Sequence, residues 1–230
     1  MLGSGPSLIQ VRDIWLPASD THFKGSIEKT GSYLIERLHA AMTYCPAHCL
    51  AVDVGAHVGL WTRDLLDRFK KVYAFEPDSD NFRCLLLNTA THLNRSLHAR
   101  NVAVGREAGI GTTLADPLPK RQGNSGARYV QVTDRSEPGV PVVPIVTLDS
   151  YNLSTCDFLK IDVEGAELNV LVGARETIER CHPVIMLEVG KTPPERFGYA
   201  VDAPLEYLRK LGMRVELEMR ADKVLVWPAT

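Results

Sequence analysis

Leu50-Ala51-Val52-Asp53-Val54-Gly55-Ala56-His57-Val58-Gly59 is the stretch that decides how this chain folds. Its first half is apolar and β-branched, as in a strand buried on both faces, and glycines punctuate it where a helical pattern begins. A buried strand that turns sharply into a helix aims the helix's free N–H groups at whatever lies beyond the strand end. Val72-Tyr73-Ala74-Phe75-Glu76 is a second buried strand that ends in a carboxylate. A carboxylate about twenty residues beyond the first turn can accept both hydroxyls of a ribose. Together the two runs predict a nucleoside-containing ligand lying across the ends of two neighbouring parallel strands.

Outward from this point, strands and helices alternate. Residues 27–42 carry apolar residues at helical spacing, and strands are predicted over 49–54, 72–75, 97–104, 158–162 and 184–188. Helices separate them: one carries Leu60, Trp61, Leu65, Leu66 and Phe69, one starts at Pro77-Asp78, and one covers 166–180 with Gly173 dividing it. A helix over 203–211 precedes a closing pair, 214–219 and 223–227, joined at Ala221-Asp222. This order predicts one Rossmann-like α/β domain over 27–230, with a mostly parallel sheet, its last strand antiparallel and helices on both faces. Residues 1–26 read as an arm or lid. Residues 105–144 read as an irregular excursion near the acceptor side, a hairpin over the sheet edge with pieces near 110–114 and 129–132.

The bulk properties exclude several classes. A chain of 230 residues suits a single core. Lys plus Arg, 26, against Asp plus Glu, 28, leaves a net charge of -2, which disfavours a nucleic-acid partner. No run approaches the roughly 18 apolar residues that cross a bilayer, and the start, with Gly3, Pro6 and Arg12, is unlike a secretory signal. The expectation is a cytoplasmic protein with no membrane partner and room for a homodimer. Cys45, Cys49, Cys84, Cys156 and Cys181 are odd in number and form no CxxC, so reduced thiols in or near the core are expected rather than a zinc site at Cys45-His48-Cys49.

A dinucleotide site would place a glycine where His57 stands, and Asp53 puts negative charge where a pyrophosphate would lie. A cationic ligand fits better, an α-amino group beside a sulfonium, and S-adenosylmethionine carries both with a ribose for Glu76. Gly55 and Gly59 can also serve close packing, Asp53 can cap the helix, and Glu76 can be a solvated strand end.

Asp53-Val-Gly-Ala-His-Val-Gly59, Phe75-Glu-Pro77 and Phe158-Leu-Lys-Ile-Asp-Val-Glu-Gly-Ala-Glu-Leu168 resemble the FkbM-type branch of class I S-adenosylmethionine-dependent methyltransferases. Val172-Gly-Ala174, Pro183-Val-Ile-Met-Leu-Glu188 and Leu208-Arg-Lys-Leu-Gly212 extend the resemblance. It implies a seven-stranded sheet, and a methionine-side loop made by Asp53, Gly55, Ala56, His57 and Gly59. It also implies that Glu76, beside Pro77, holds the ribose, and that Asn101, Val102 and Ala103 line the adenine.

Methyl transfer from a sulfonium gains much from alignment, and an alcohol acceptor must also lose a proton. The crevice of an open α/β sheet lies at the carboxyl ends of its strands, where Lys160, Asp162, Glu164, Glu167 and Glu188 gather. Asp162 is expected as acceptor-side base or amine anchor, Lys160 to orient it, and Glu164 and Glu188 to charge the acceptor pocket. Glu167 reads as a first-turn helix residue. The resemblance places an acceptor-side loop at Asn124-Ser125-Gly126, which reads equally as an exposed turn.

Asp162 and Glu188 are oxygen ligands hard enough for magnesium, but activity without added divalent ions is expected. The resemblance points to O-methylation of a sugar, glycan or secondary metabolite. Rival readings are N- or carboxyl-methylation of a peptide and a non-catalytic binder of S-adenosylmethionine. Another is ribose 2′-O-methylation of RNA by Lys29, Asp162, Lys191 and Glu216 or Glu218.

Overall fold

The computed structural model describes residues 8–92, 96–135, 142–190 and 197–228. A hairpin of β1 (Leu8–Val11) and β2 (Ile14–Pro17) leads into α1 (His22–Thr30) and α2 (Ile35–Met42). Next come β3 (Leu50–Val54), α3 (Leu60–Arg68), β4 (Lys71–Phe75), α4 (Ser79–Thr89) and β5 (Ser96–Arg100). The excursion supplies β6 (Ala103–Val104), β7 (Gly109–Ala115), β8 (Arg128–Thr133) and β9 (Val143–Val146). The remainder is β10 (Phe158–Ile161), α5 (Glu167–Val172), α6 (Arg175–Cys181), β11 (Val184–Glu188), α7 (Ala203–Lys210), β12 (Arg214–Met219) and β13 (Asp222–Val226).

The main sheet has seven strands in the order β12-β13-β11-β10-β3-β4-β5. Only β13 runs against its neighbours, because a tight turn at Arg220 (φ 59°) joins it to β12 and a short turn can connect only antiparallel strands. β3, β10 and β11 are buried at every position, which is why they read as continuous apolar runs. Their polar exceptions face each other: Lys160 of β10 sits in register with Asp53 of β3. Helices α5, α6 and α7 cover one face through Val170, Leu171, Ile178 and Leu208. Helices α2 and α3 cover the other through Leu38, Met42, Leu65 and Leu66. The strand order reverses between β3 and β10, and a crevice opens at the carboxyl ends there.

Three expectations need correction. The predicted strand 97–104 splits after β5, because Asn101 Nδ2 donates to Glu76 O (2.8 Å) and Pro77 O (3.0 Å) and draws the chain out of the main sheet. The excursion is more than a hairpin: β6-β9-β7-β8 form a second sheet. Pro144 hid β9, although Val143 and Ile145 on either side of it are buried. The helix predicted over 27–42 breaks at Gly31 (φ 73°) and Leu34 (φ 50°), a bend that brings Tyr33 and Leu34 to the crevice.

The arm, from residue 8 onward, is stitched to α4: Trp15 N donates to Asn88 Oδ1 (2.6 Å), and Asn88 Nδ2 donates to Trp15 O (2.9 Å). Ile14, Leu16 and Ile27 are buried there with Val58 and Cys84. Residues 1–7 of the predicted arm lie outside the described residues. All five cysteines are free thiols; Cys45, Cys84 and Cys156 are buried, and Cys49 is exposed. Among the described residues no helix is long and apolar enough to cross a membrane.

Candidate active site

The crevice is an open cleft lined by the ends of β3, β4, β10 and β11 and by residues of the excursion. Its floor is the turn after β3. Gly55 and Ala56 both donate their N–H groups to Phe75 O at 3.0 Å, folding the turn over the end of β4. Gly55 (φ 76°) packs so tightly that a Cβ there would lie 1.8 Å from Asp162 O. His57 also takes a left-handed backbone (φ 52°), and Gly59 (φ 82°) begins α3.

Glu76 sits beside this turn, buried, with Oε2 accepting from His57 N (2.8 Å) and Oε1 from Asp78 N (2.9 Å). Burial raises its carboxyl to about 7, against these two donors that favour the charged form. Asn81 Nδ2 donates to Ser125 O (2.9 Å), while its buried Oδ1 has no partner among the described residues. Pro77, Val102 and Ala103 continue the wall as an apolar lane with Phe75 and Val104.

Asp53 departs from expectation. It is fully buried and off the cleft wall, with Thr62 Oγ1 donating to Oδ2 (2.6 Å) and Lys160 Nζ 3.0 Å from Oδ1. The charge assigned to a cationic ligand is thus neutralised inside the sheet. Lys160 correspondingly pairs with Asp53 rather than orienting Asp162, and also donates to Gly55 O (2.5 Å). Burial opposes the Lys160 charge, but Asp53 and then Asp162 outweigh it and hold the ammonium above its usual range.

Asp162, half-buried at the end of β10, lines the cleft, and no other described side chain hydrogen-bonds its carboxylate. Glu164 (φ 56°) and Glu188 line it too, and oxygens of these three carboxylates lie within 4.8 Å of one another, a spacing a hard cation can use. Glu164 is already engaged: both its oxygens are 2.6 Å from Arg121 Nη2, and Arg121 Nη1 is 3.3 Å from Asp116. Glu167 is buried outside the cleft and accepts from Gly165 N (2.9 Å).

Of the remaining predicted residues, Asn124 lines the cleft, whereas Ser125 is buried and its hydroxyl bonds to His57 and Asp20 instead of facing a substrate. Gly59 and Asn101, expected at the ligand, do not line the cleft: Gly59 caps α3, and the Asn101 amide is spent on Glu76 O and Pro77 O. Lys29, Glu216 and Glu218 do not join Asp162 at the cleft; Glu216 pairs with Arg214 and Glu218 with Lys223. Lys191 lies outside the described residues.

The sequence reading missed one wall entirely. Phe23 and Tyr33 pack at 4.5 Å between ring centres, and Phe23 also meets His57 at 4.4 Å. Trp61 is fixed by donating Nε1–H to Tyr33 O (2.8 Å). Arg37 and Asp222, 2.6 Å apart, close the far end. None of these carried a local motif; Trp61 read as an ordinary helix core residue.

With this geometry in hand, comparison with known proteins is specific. A family profile described as the methyltransferase FkbM domain matches residues 53–215. A curated relative, Methyltransferase 1 of Beauveria bassiana (strain ARSEF 2860), is 25% identical over 184 residues, 68% of this chain and 74% of its own. Among solved structures, precorrin 8w decarboxylase of Methanobacterium thermoautotrophicum shares the fold, with a TM-score of 0.50, 15% identity, and coverage of 87% of this chain and 92% of that one. A methyltransferase FkbM from Methylobacillus flagellatus KT gives a TM-score of 0.48 at 18% identity over 78% of this chain. This chain spans 43% of that protein's length.

Proposed function

The chain belongs to the methyltransferase FkbM family, and from that membership we propose that it transfers the methyl group of S-adenosylmethionine to a hydroxyl of a sugar, glycan or small secondary metabolite. The observation that carries the acceptor class is that one cleft is lined both by Asp162, a carboxylate without a hydrogen-bonded side chain among the described residues, and by Phe23, Tyr33 and Trp61. Carboxylates accept hydroxyl donors, and aromatic faces cover the apolar C–H faces of a polyol.

The cleft fits the donor. An ionised carboxylate has about four lone-pair sites; Glu76 uses two on backbone N–H groups, which leaves capacity for a ribose diol beside the unsatisfied Asn81 Oδ1. The Phe75–Val102–Ala103 lane suits a flat apolar base. Bound there, S-adenosylmethionine supplies an electrophilic methyl group on a sulfonium. Asp162 stabilises the positive charge that arrives at the acceptor oxygen, and Phe23 and Tyr33 keep water from the reacting side.

Two measurements probe these assignments. Diol hydroxyls need the ionised Glu76, and its carboxyl titrates at about 7. Affinity for S-adenosylhomocysteine should therefore fall by up to about tenfold per pH unit on acidification below that point. Titration calorimetry at about pH 6 and about pH 8 should show this slope in the wild type and lose it, with weaker binding throughout, in Glu76→Gln. Turnover should persist in EDTA, because the Arg121 guanidinium already supplies counter-charge to Glu164; loss with rescue by magnesium would reassign the three carboxylates.

The acceptor class is tested with trideuteromethyl-labelled donor and a panel of hydroxylated and amine-bearing acceptors, the product being located by mass spectrometry. Label on oxygen supports the proposal. Label on nitrogen or on a carboxylate alone would replace it.

A further inference from the structure

Three segments distant in sequence meet behind the cleft in one polar chain: Asp20 before α1, Ser125 in the excursion and His57 in the turn after β3. Asp20 collects donors only, from Phe23 N (2.7 Å), Ser125 N (2.8 Å) and the Ser125 hydroxyl in a short contact. A carboxylate with three donors accepts, so the single Ser125 proton points to Asp20. Ser125 Oγ then accepts from His57 Nε2, 2.6 Å away. His57 therefore carries its proton on Nε2. Its Nδ1 is a bare lone pair with no partner among the described residues, on a ring that lines the cleft.

We propose that His57 Nδ1 takes the proton of the acceptor hydroxyl, and that Ser125 and Asp20 are positioning residues that fix its tautomer. This rests on the O-methylation reading and adds the base that reading lacks. As the acceptor oxygen forms its bond to the methyl carbon, the carbon–sulfur bond breaks and its electron pair stays on sulfur as a neutral thioether. The hydroxyl proton moves to Nδ1, so one positive charge passes from the sulfonium to an imidazolium and leaves to solvent after product release.

The surroundings keep the resting ring neutral. Burial holds the His57 ring down to about 4, with Asp20 and Asp162 pulling it up and Lys160 and Arg128 pushing it down. Glu76 faces the same residue through its backbone N–H. The ring is thus unprotonated at neutral pH and a weak base. A weak base is enough, since a methylated hydroxyl is an oxonium many orders of magnitude more acidic than an imidazolium.

The decisive variant is His57→Asn, because asparagine tolerates the left-handed backbone and has no basic nitrogen. Its kcat should fall about 10²–10³-fold. Ser125→Ala and Asp20→Asn should lose about tenfold, as expected for groups acting through another residue. Nitrogen-15 NMR of the ligand-free wild type should show His57 protonated on Nε2 and bare on Nδ1, and Ser125→Ala should mix the two tautomers, a change that simple loss of stability does not produce. A wild-type ring protonated on Nδ1, or a His57→Asn enzyme within about threefold of wild-type kcat, overturns the base assignment. If the wild type forms no O-methyl product, the hydroxyl reading and the base fall together; if it does and His57→Asn does equally well, the base falls alone.

Discussion

Asp162→Asn is expected to lower kcat about a hundredfold while leaving affinity for S-adenosylhomocysteine within about threefold of the wild type. The substitution keeps the shape of the side chain and removes only its charge. That charge is available to the reaction because Lys160, the nearest ammonium on the same strand, is committed to Asp53 and Gly55 O. Asp162 is half-buried, so its field acts through a medium less polarisable than water on the positive charge arriving at the acceptor. Steady-state rates and calorimetry check both halves. An unchanged kcat would remove Asp162 from the reaction. A loss confined to donor affinity would make it the anchor of the donor's amino group instead.

Gly55→Ala should be the most damaging single-atom change in the turn, destabilising the fold by more than about 3 kcal/mol. A methyl group at Gly55 meets Asp162 O at 1.8 Å and Asp162 C at 2.9 Å, both backbone, so no rotamer change relieves the clash. The left-handed φ of 76° adds a penalty of roughly 1–2 kcal/mol for any residue with a Cβ. Gly59→Ala is the matched control. Its φ is as unfavourable, at 82°, but its nearest atoms are Leu85 Cγ at 3.1 Å and Leu85 Cα at 3.2 Å, so α4 need shift by only a few tenths of an ångström. Its cost should exceed that conformational penalty only by this small packing shift and stay below the cost of Gly55→Ala. Thermal unfolding of the two variants, with far-ultraviolet circular dichroism, separates them; equal midpoints would mean that the Gly55–Asp162 contact constrains nothing.

What the sequence made legible follows from how each element is buried. β3, β4, β10 and β11 announce themselves because strands deep in a parallel sheet are apolar at nearly every position. The glycine turn and the strand-end carboxylates were legible for a related reason: their chemistry is concentrated in short contiguous runs. The second sheet was only partly visible, since β7 and β8 are half-exposed and β9 is interrupted by Pro144. Asp53 misled because a carboxylate just before such a turn looks available to a ligand, and only the register of β3 with β10 shows Lys160 beside it. The aromatic wall and the Asp20–Ser125–His57 chain left no trace, because each link joins residues far apart in sequence. Arg121 was equally silent, a single basic residue in an irregular run until the fold sets it against Glu164.

The seam between the arm and α4 joins two unequal portions of the chain. The stretch matched by the family profile begins at residue 53, whereas Phe23, Tyr33 and Asp20 precede it. The turn at Gly55–Gly59 lies inside the matched stretch, and the aromatic residues that face it lie outside. Replacing the leading portion would therefore change the aromatic wall together with the contacts of Asp20 to Ser125 and of Phe23 to His57.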